Sequence, residues 1–531
     1  MKKTVFQKPL FWLILGAALS AIPLIYPQIG LLQWVMMIPL FIGVYRFFET
    51  ENHSLRRAYG YGFLTVYVFY FVIYHWFVNL YPLDFVGMDN KSSLVVIAAG
   101  WLGLPLLQAI MGGFVFLLFS ILQRLGVVKR FPFVRPFLFA SLWVLFEFSS
   151  TIGWTGVPWG HLCLGQIHLL SGLQTAALFG SYFVSWLLLV VNGLLAYALL
   201  YRKKALVAGV TATVIFLSNF AYGGIVRTVQ KSQSTETIKV AVIQGNMNSH
   251  DKWSSDADQL TREIYGSLTR KAAEEGATLV VWPETAFPYV LSENSYNARF
   301  SSTLAKECGI TLVIGALHTD ENGNEYNALF MVDPDGNFRT EIYAKRHLVP
   351  FGEYVPMRDV IMTLIPPLAD LSALNDDLTP GADSALFECS WGELGSLICF
   401  DSIYEQLTID SVRDGADLMV ISSNDSWFFD SAAVYQHQAH AQLRAIESGR
   451  DFVRAANTGI SSVISDDGSI KAWIDPLEEG YAVAEVSVRT DMTLYMIIGN
   501  LFVYVCAFAV LLLIAYGIWD RKRSRKFDAV S

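Results

Sequence analysis

With 531 residues, 53% of them hydrophobic, and a mean hydropathy of +0.40, the chain is too apolar for an ordinary soluble enzyme and long enough for more than one domain. Its net charge of −9 says little by itself about nucleic acid; the lack of a basic groove or stacking platform is what argues against that partner. A membrane is the environment this composition points to.

Apolar stretches able to cross about 30 Å of hydrocarbon occur near 9–27, 29–48, 60–82, 93–122, 133–152, 170–200 and 205–222, with an eighth near 494–518. Lys2, Lys3 and Lys8 precede the first stretch. Further apolar stretches follow it and a small-residue cleavage site does not, so it reads as a retained span rather than a removed signal peptide. Basic residues recur on every second loop: Arg46, Arg56 and Arg57; Arg124, Lys129, Arg130 and Arg135; Arg202, Lys203 and Lys204; and the run from Arg521 to Lys526. Short loops rich in Lys and Arg stay on the cytoplasmic side. Both termini are therefore expected in the cytoplasm, and the long segment between the seventh and eighth spans on the opposite face. The predicted organisation is a membrane domain over 1–222 with about seven spans, an extracytoplasmic domain over 223–493, an eighth span over 494–518 and a basic tail over 519–531.

In the extracytoplasmic domain apolar and polar residues alternate as they do in a globular α/β fold. Residues 238–246, IKVAVIQGN, read as a strand entering a turn. A helix follows over 255–275, opened by Ser254 or Ser255. ATLVVWPET is a buried strand ending in Glu284, a helix near 294–307 comes next, and ITLVIGAL is another strand. The Asp-Gly pair inside NALFMVDPDGNFRTEIYAK predicts a hairpin. SALFECSWGELGSLICF predicts a second, followed by a helix from about Tyr404 to Asp414, the strand DLMVISSND, a helix near 431–449 and the hairpins of VRAANTGISSVISDDGSIKAWI. This mixed order favours a two-sheet sandwich covered by helices over a purely parallel sheet.

Three chemically capable residues stand just past predicted strands. Glu284 follows Leu279–Trp282, Lys345 follows Ile342 and Tyr343, and Cys399 follows Leu397 and Ile398. Each has an ordinary explanation: a helix cap, a solvated hairpin lysine, a small core hydrophobe. Together they form an acyl-transfer set, because a carboxylate can take the thiol proton, the thiolate is the nucleophile, and an ammonium favours both the thiolate and the oxyanion. Cys308 and Cys389 sit in a compartment that permits a disulfide, although two unpaired thiols are the expected state. His437 and His440, three apart on a helix, have zinc-ligand spacing but no evident third ligand, so no metal is expected.

The segments WPET, YAKRHLVPFGEYVP and SLICFDSIYEQ, in this order, resemble the Glu-Lys-Cys triad of the nitrilase superfamily. Joined to eight spans, they resemble the apolipoprotein N-acyltransferase family over nearly the whole chain. The resemblance implies a polytopic α-helical membrane domain of eight transmembrane helices plus an α/β nitrilase-like sandwich, αββα. It implies Glu284 as general base, Lys345 as oxyanion-stabilising cation and Cys399 as nucleophile. An acyl chain would pass from a glycerophospholipid to Cys399 and then to the α-amino group of a diacylglyceryl apolipoprotein. Glu353 matches the family's second glutamate and would orient Lys345 or the amine, unless it is a surface-loop carboxylate. Trp253, Asn424, Asp425 and Trp427 match positions near the site, the two tryptophans contacting lipid chains or packing ordinarily. Glu447, Arg450, Arg454 and Asn457 match a supporting polar network. Phe400 and Asp401 replace the Tyr and Glu that commonly follow the cysteine, and Phe429 stands where glycine is usual. The family implies no cofactor, a bacterial inner-membrane location, membrane lipid as the surroundings, and a monomer. Two rival readings are a membrane-tethered amidase or nitrilase with water as acceptor, and a transporter or receptor whose outer domain only binds ligand.

Overall fold

The computed structural model describes residues 7–49, 54–83, 88–230, 236–248, 252, 257–292, 294–364 and 377–528. The chain divides into two compact units. The first comprises Met1–Val78, Val96–Lys231 and Ile498–Ser531, and the second Asn79–Val95 and Ser232–Ile497.

Among the described residues seven helices are long and apolar enough to cross a membrane by length and composition: Pro27–Glu49, Leu55–Leu80, Asn90–Arg124, Pro132–Ser149, Ser181–Leu200, Arg202–Val229 and Leu501–Arg523. The first predicted span forms the apolar helix Pro9–Ile25, whose 17 residues reach about 25 Å at the α-helical rise. Two predicted spans are interrupted. The stretch 170–200 forms two short turns, Leu170–Leu173 and Ala176–Phe179, before Gly180 at φ +80° hands over to Ser181–Leu200. The last stretch breaks at Gly499, φ +57°, and the helix Leu501–Asp528 then continues past the predicted end of the span.

The second unit is built on twelve strands: β1 Thr237–Gln244, β2 Leu279–Val281, β3 Thr311–Thr319, β4 Glu325–Val332, β5 Tyr343–Ala344, β6 Phe387–Cys389, β7 Gly392–Ile398, β8 Leu418–Ser423, β9 Phe452–Ala456, β10 Ser461–Ile464, β11 Ile470–Ile474 and β12 Gly480–Ser487. They form two six-stranded sheets, ordered β12-β1-β2-β3-β4-β5 and β11-β10-β9-β8-β7-β6. In each sheet three central strands run parallel (β1, β2, β3 and β7, β8, β9) and the flanks are antiparallel.

Alternation along the strands divides their side chains between two layers. Val240, Val242, Leu279 and Val281 of the first sheet pack with Leu394, Leu418, Val420 and Val453 of the second. Ala241, Ile243, Val280 and Trp282, on the other face of the first sheet, pack with Tyr265, Leu268 and Ala272 of the helix Ala257–Glu274 and Leu304 of the helix Tyr296–Cys308. This is the helix-covered sandwich expected. Local chemistry sets the helix ends: Ser295 caps Tyr296–Cys308 through the Ala298 N–H at 3.1 Å, and Gly309 closes it at φ +64°. Ser431 likewise caps Ala432–Ser448, which Gly449 ends. The proposed caps Ser254 and Ser255 lie outside the described residues.

Two details depart from the predicted elements. The Asp-Gly hairpin is abbreviated: after the Asp333–Gly336 turn only a Val332–Phe338 bridge forms before the two-residue β5. Strand β12, absent from the sequence-based set, returns along β1 in antiparallel register from Thr237↔Ser487 to Gln244↔Gly480 and supplies the sheet's edge.

Leu394 is fully buried between the sheets. Leu394→Ala is expected to cost about 2–5 kcal/mol and to lower the apparent unfolding temperature of the detergent-solubilised protein, read by tryptophan fluorescence.

Candidate active site

The site assembles where strands of both sheets end. Three residues past β2, Glu284 lies in a turn packed on β3 at Gly315, where a Cβ would collide with the Pro283 carbonyl and stand 2.8 Å from Glu284 Cα. Thr285 there holds φ +47°. β5 presents Lys345, whose backbone N donates to Asn327 O at 2.8 Å while its carbonyl accepts from Gly381 N at 2.8 Å. β7 ends at Ile398, and Cys399 follows at φ +49°, opening the turn Cys399–Ile403. β8 ends before Asn424 and Asp425, the latter at φ +53°. Non-glycine residues in this left-handed region store strain and cluster where a fold must aim a side chain.

Lys345, 1% exposed, bridges two carboxylates. Its Nζ lies 3.0 Å from Glu284 Oε1 and 3.0 Å from Glu353. Asn327 of β4 donates through Nδ2 to the same pair, at 2.7 Å to Glu284 and 2.8 Å to Glu353. Glu284 Oε2 accepts the Asn424 backbone N–H from the second sheet at 2.9 Å, and Glu353 Oε2 accepts the Val349 N–H at 2.8 Å. Glu353 is thus part of the site and not a surface-loop carboxylate.

Charge follows from this geometry. Burial works to raise the Glu284 carboxyl pKa, but the Lys345 charge and hydrogen bond, Asn327 and Lys252 outweigh it and hold it below the ordinary value. Burial works against the Lys345 ammonium, yet Glu284 and Glu353 raise its pKa well above normal. Cys399 keeps a partly exposed surface, but desolvation of its sulfur and then the Glu284 charge push the thiol pKa up, against the opposing pull of Lys345. The resting state is a carboxylate, an ammonium and a protonated thiol.

Asp401 ties the cysteine turn to the lysine strand. Its carboxylate accepts from His347 N at 2.7 Å, Ile398 N at 3.1 Å and Tyr343 Oη at 2.9 Å. Burial raises its pKa to about 6 in spite of Lys345 and these donors. On the other side of the turn, His437 Nε2 stands 3.1 Å from the Cys399 carbonyl and 3.0 Å from Ser402 Oγ, and its Nδ1 stands 2.9 Å from Asp425 Oδ1. Asp425 also accepts from Ser423 Oγ at 2.7 Å and Arg454 Nη2 at 2.6 Å, and its contacts with His437, Arg454 and the Ser423 hydroxyl hold its pKa below the ordinary value against burial. A Cys399, Asp425 and His437 ligand atom all lie within 4.8 Å of one another, a spacing a metal could use. Hydrogen bonds to Ser423, Arg454 and the Cys399 carbonyl already engage the carboxylate and the imidazole, so nothing in this donor set calls for an ion.

Glu284 and Lys345 are therefore in direct contact and both lie close enough to Cys399 to act on its charge, with Glu353, Asp401 and Asn424 bound to the same group. Phe400 is half-buried, its ring 5.4 Å from that of Tyr404, and Trp427 is half-buried in the turn after Asp425. Trp253 lies outside the described residues. Of the anticipated polar network, Arg454 and Asn457 reach the site, Asn457 donating to Met247 O at 2.7 Å and Asn424 Oδ1 at 3.0 Å. Glu447 pairs instead with Arg444 at 2.9 Å, and Arg450 donates to Ala416 O at 2.8 Å. Cys308 and Cys389 are free thiols. Sequence reasoning passed over Asn327, an amide set in the otherwise apolar strand YNALFMV, and Lys252.

A buried carboxylate, ammonium and thiol at the strand ends of a two-sheet sandwich define a carbon–nitrogen-hydrolase type of catalytic domain, and the Carbon-nitrogen hydrolase family profile matches residues 239–491. The Apolipoprotein N-acyltransferase N-terminal domain profile matches 15–194. The apolipoprotein N-acyltransferase of Geobacter metallireducens is 30% identical over 93% of this chain and 92% of its own length, and that of Gloeobacter violaceus 32% identical over 91% and 89%. A solved yeast structure, Saccharomyces cerevisiae Nit3 of the nitrilase superfamily, is 22% identical with a TM-score of 0.39, covering 48% of this chain and 90% of that one. The chain belongs to the apolipoprotein N-acyltransferase family and is an acyltransferase.

Because the Cys399 thiol pKa is raised, its alkylation by iodoacetamide is expected to keep accelerating through neutrality, up to about pH 8. Because the Glu284 pKa is lowered, its carboxylate and the stability it contributes are present above the ordinary carboxyl pKa and are lost only as pH falls through the lower folded value. A labelling rate that levels off near neutrality would contradict this arrangement.

Proposed function

We propose that the protein transfers a fatty acyl chain from a membrane glycerophospholipid to the α-amino group of the diacylglyceryl cysteine of an apolipoprotein, through a thioester on Cys399. The observation that carries this reading is the convergence of Glu284, Lys345 and Cys399 in one buried site.

In the first half-reaction Glu284 takes the Cys399 proton as the sulfur bonds to the ester carbonyl carbon. Proton removal coupled to attack suits a thiol whose free ionisation is disfavoured. Lys345 stabilises the tetrahedral oxyanion, and its two carboxylate partners fix its position without further reorganisation. The ester C–O bond then breaks, Glu284 returns the proton to the departing lysophospholipid oxygen, and the acyl group remains on sulfur. In the second half a neutral α-amine attacks the thioester. A C–N bond forms, the C–S bond breaks, and Glu284 carries the amine proton to the Cys399 sulfur. The two-stage exchange has ping-pong kinetics.

Membrane attachment has an energetic reason. Moving a chain of ~15 methylenes into water costs roughly 12 kcal/mol at ~0.8 kcal/mol per CH₂, more than ordinary substrate binding returns. Covalent connection of the second unit to apolar helices on both sides, Ala205–Gln230 and Leu501–Asp528, keeps it at the bilayer where both lipids reside. The alternating basic loops favour an extracytoplasmic active site with both termini in the cytoplasm.

Exposure of the purified protein to labelled phospholipid is expected to add one acyl mass, removable by hydroxylamine and mapping to Cys399. Cys399→Ala abolishes it, and Glu284→Gln slows it about 10²–10⁴-fold. With a diacylated lipopeptide the label moves into an amide; free fatty acid without amide would instead favour the hydrolase reading.

A further inference from the structure

The charges around Cys399 do not balance among Lys345, its two carboxylates, Asp401 and the Asp425–Arg454 pair. Lys345 serves two carboxylates, Glu284 and Glu353. Asp401 adds a buried carboxyl, and Asp425 is matched by Arg454 with His437 alongside. Transfer of the thiol proton to Glu284 moves that carboxylate's negative charge onto sulfur and then onto the oxyanion, still within the same low-dielectric volume, where unbalanced charge is costly.

One more buried cation acts on this group. Lys252 is 2% exposed; its backbone N donates to Asn248 O at 3.0 Å and its Nζ donates to the backbone carbonyl of Glu284 at 3.1 Å. Of the groups around it, Glu284 and then Cys399 exert the electrostatic pull that favours its charged form. A lysine is seldom wholly buried unless something compensates its charge, and here the compensation comes from the catalytic carboxylate and the nucleophile themselves.

We propose that Lys252 is a positioning residue of the acyl-transfer site, holding the Glu284 backbone by a charge-assisted hydrogen bond and supplying the second positive charge that offsets the developing thiolate and oxyanion. This rests on the acyl-transfer reading of Cys399. Burial lowers the Lys252 pKa to about 8, with Glu284 and Cys399 only partly opposing the shift. The ammonium therefore persists at neutral pH and is lost just above it. Lys345, raised well above its usual value, stays charged throughout, so of the two cations only Lys252 titrates in this window.

The test uses the full-length protein in detergent, with phosphatidylglycerol, whose head group does not titrate in this range, as acyl donor. Adduct formation on Cys399 is followed by intact mass across pH. For the wild-type protein the rate is expected to decline above about pH 8. Lys252→Arg keeps a charge that does not titrate there and carries the rate to higher pH. Lys252→Met lowers the neutral-pH rate about tenfold, the equivalent of one pKa unit, and removes the decline. Lys252→Gln keeps a hydrogen-bond donor without charge and behaves like Lys252→Met. A contact of purely structural value would leave the pH profile in place. The inference is overturned if Lys252→Met forms the adduct at the wild-type rate, or if the decline near pH 8 persists in it. Iodoacetamide labelling of Cys399 requires no acyl donor. A tenfold slower labelling of Lys252→Met than of Lys252→Arg supports the role of Lys252 even where no acyl adduct forms, and equal labelling overturns it.

Discussion

The arrangement depends on one buried ammonium held between two carboxylates. Removing an ion from water costs several kcal/mol even after relaxation, so Lys345 can be buried only because Glu284 and Glu353 each approach it to 3.0 Å. The same contacts keep Glu284 ionised and Lys345 charged, the states a proton acceptor and an oxyanion partner need. They also draw distant parts of the chain together. Glu284 follows β2, Lys345 follows β5, Glu353 reaches back from a loop to Val349 N, and the Asn424 amide comes from the opposite sheet. A substitution in any one of these strands acts on the others through that shared charge.

Around this ion pair the backbone is held in conformations it would not adopt alone. Asn246, Thr285, Cys399 and Asp425 all have positive φ, each at a cost of roughly 1–3 kcal/mol. The packed layer between the sheets, with Val240, Val281, Ile398 and Val420 fully buried, supplies the rigidity that offsets it. At Cys399 the strain has a visible support, since the Asp401 carboxylate on one side and the His437 imidazole on the other fix the peptide groups of the turn. The same Asp401 carboxylate also reaches His347 N and Tyr343 Oη, which ties the turn to the lysine strand.

The first unit solves a different problem with neutral groups. Its helices are interrupted, and an interrupted backbone in an apolar setting must find hydrogen-bond partners inside the protein. Gln33, Gln166 and Asn192 provide them. Gln33 Nε2 donates to Leu162 O at 2.8 Å, Gln166 Nε2 to Gly30 O at 2.7 Å, and Asn192 accepts from Met37 N at 3.0 Å while donating to Gln33 O at 3.0 Å. Amides fit here because each both donates and accepts, which lets a few side chains satisfy several backbone groups without introducing charge.

Hydropathy and local periodicity by themselves determined the division into an apolar helical part and an α/β part and most of the strands and helices, and they placed the three residues proposed for acyl transfer just past strand ends. These are local properties, since a strand's alternation and a cap's hydroxyl act within a few residues. The interruption of the span near Gly180, the shortness of β5 and the existence of β12 depended on partners far away in the chain. So did the roles of Asn327 and Lys252, because an amide in a strand or a lysine in a polar stretch looks solvated until the fold encloses it. His437 shows the same limit: its spacing from His440 hinted at zinc, while its neighbours in space are the cysteine turn and Asp425. Charge state is the property that only the tertiary structure decided, because a group's pKa answers to desolvation and to the other charges folding brings near it.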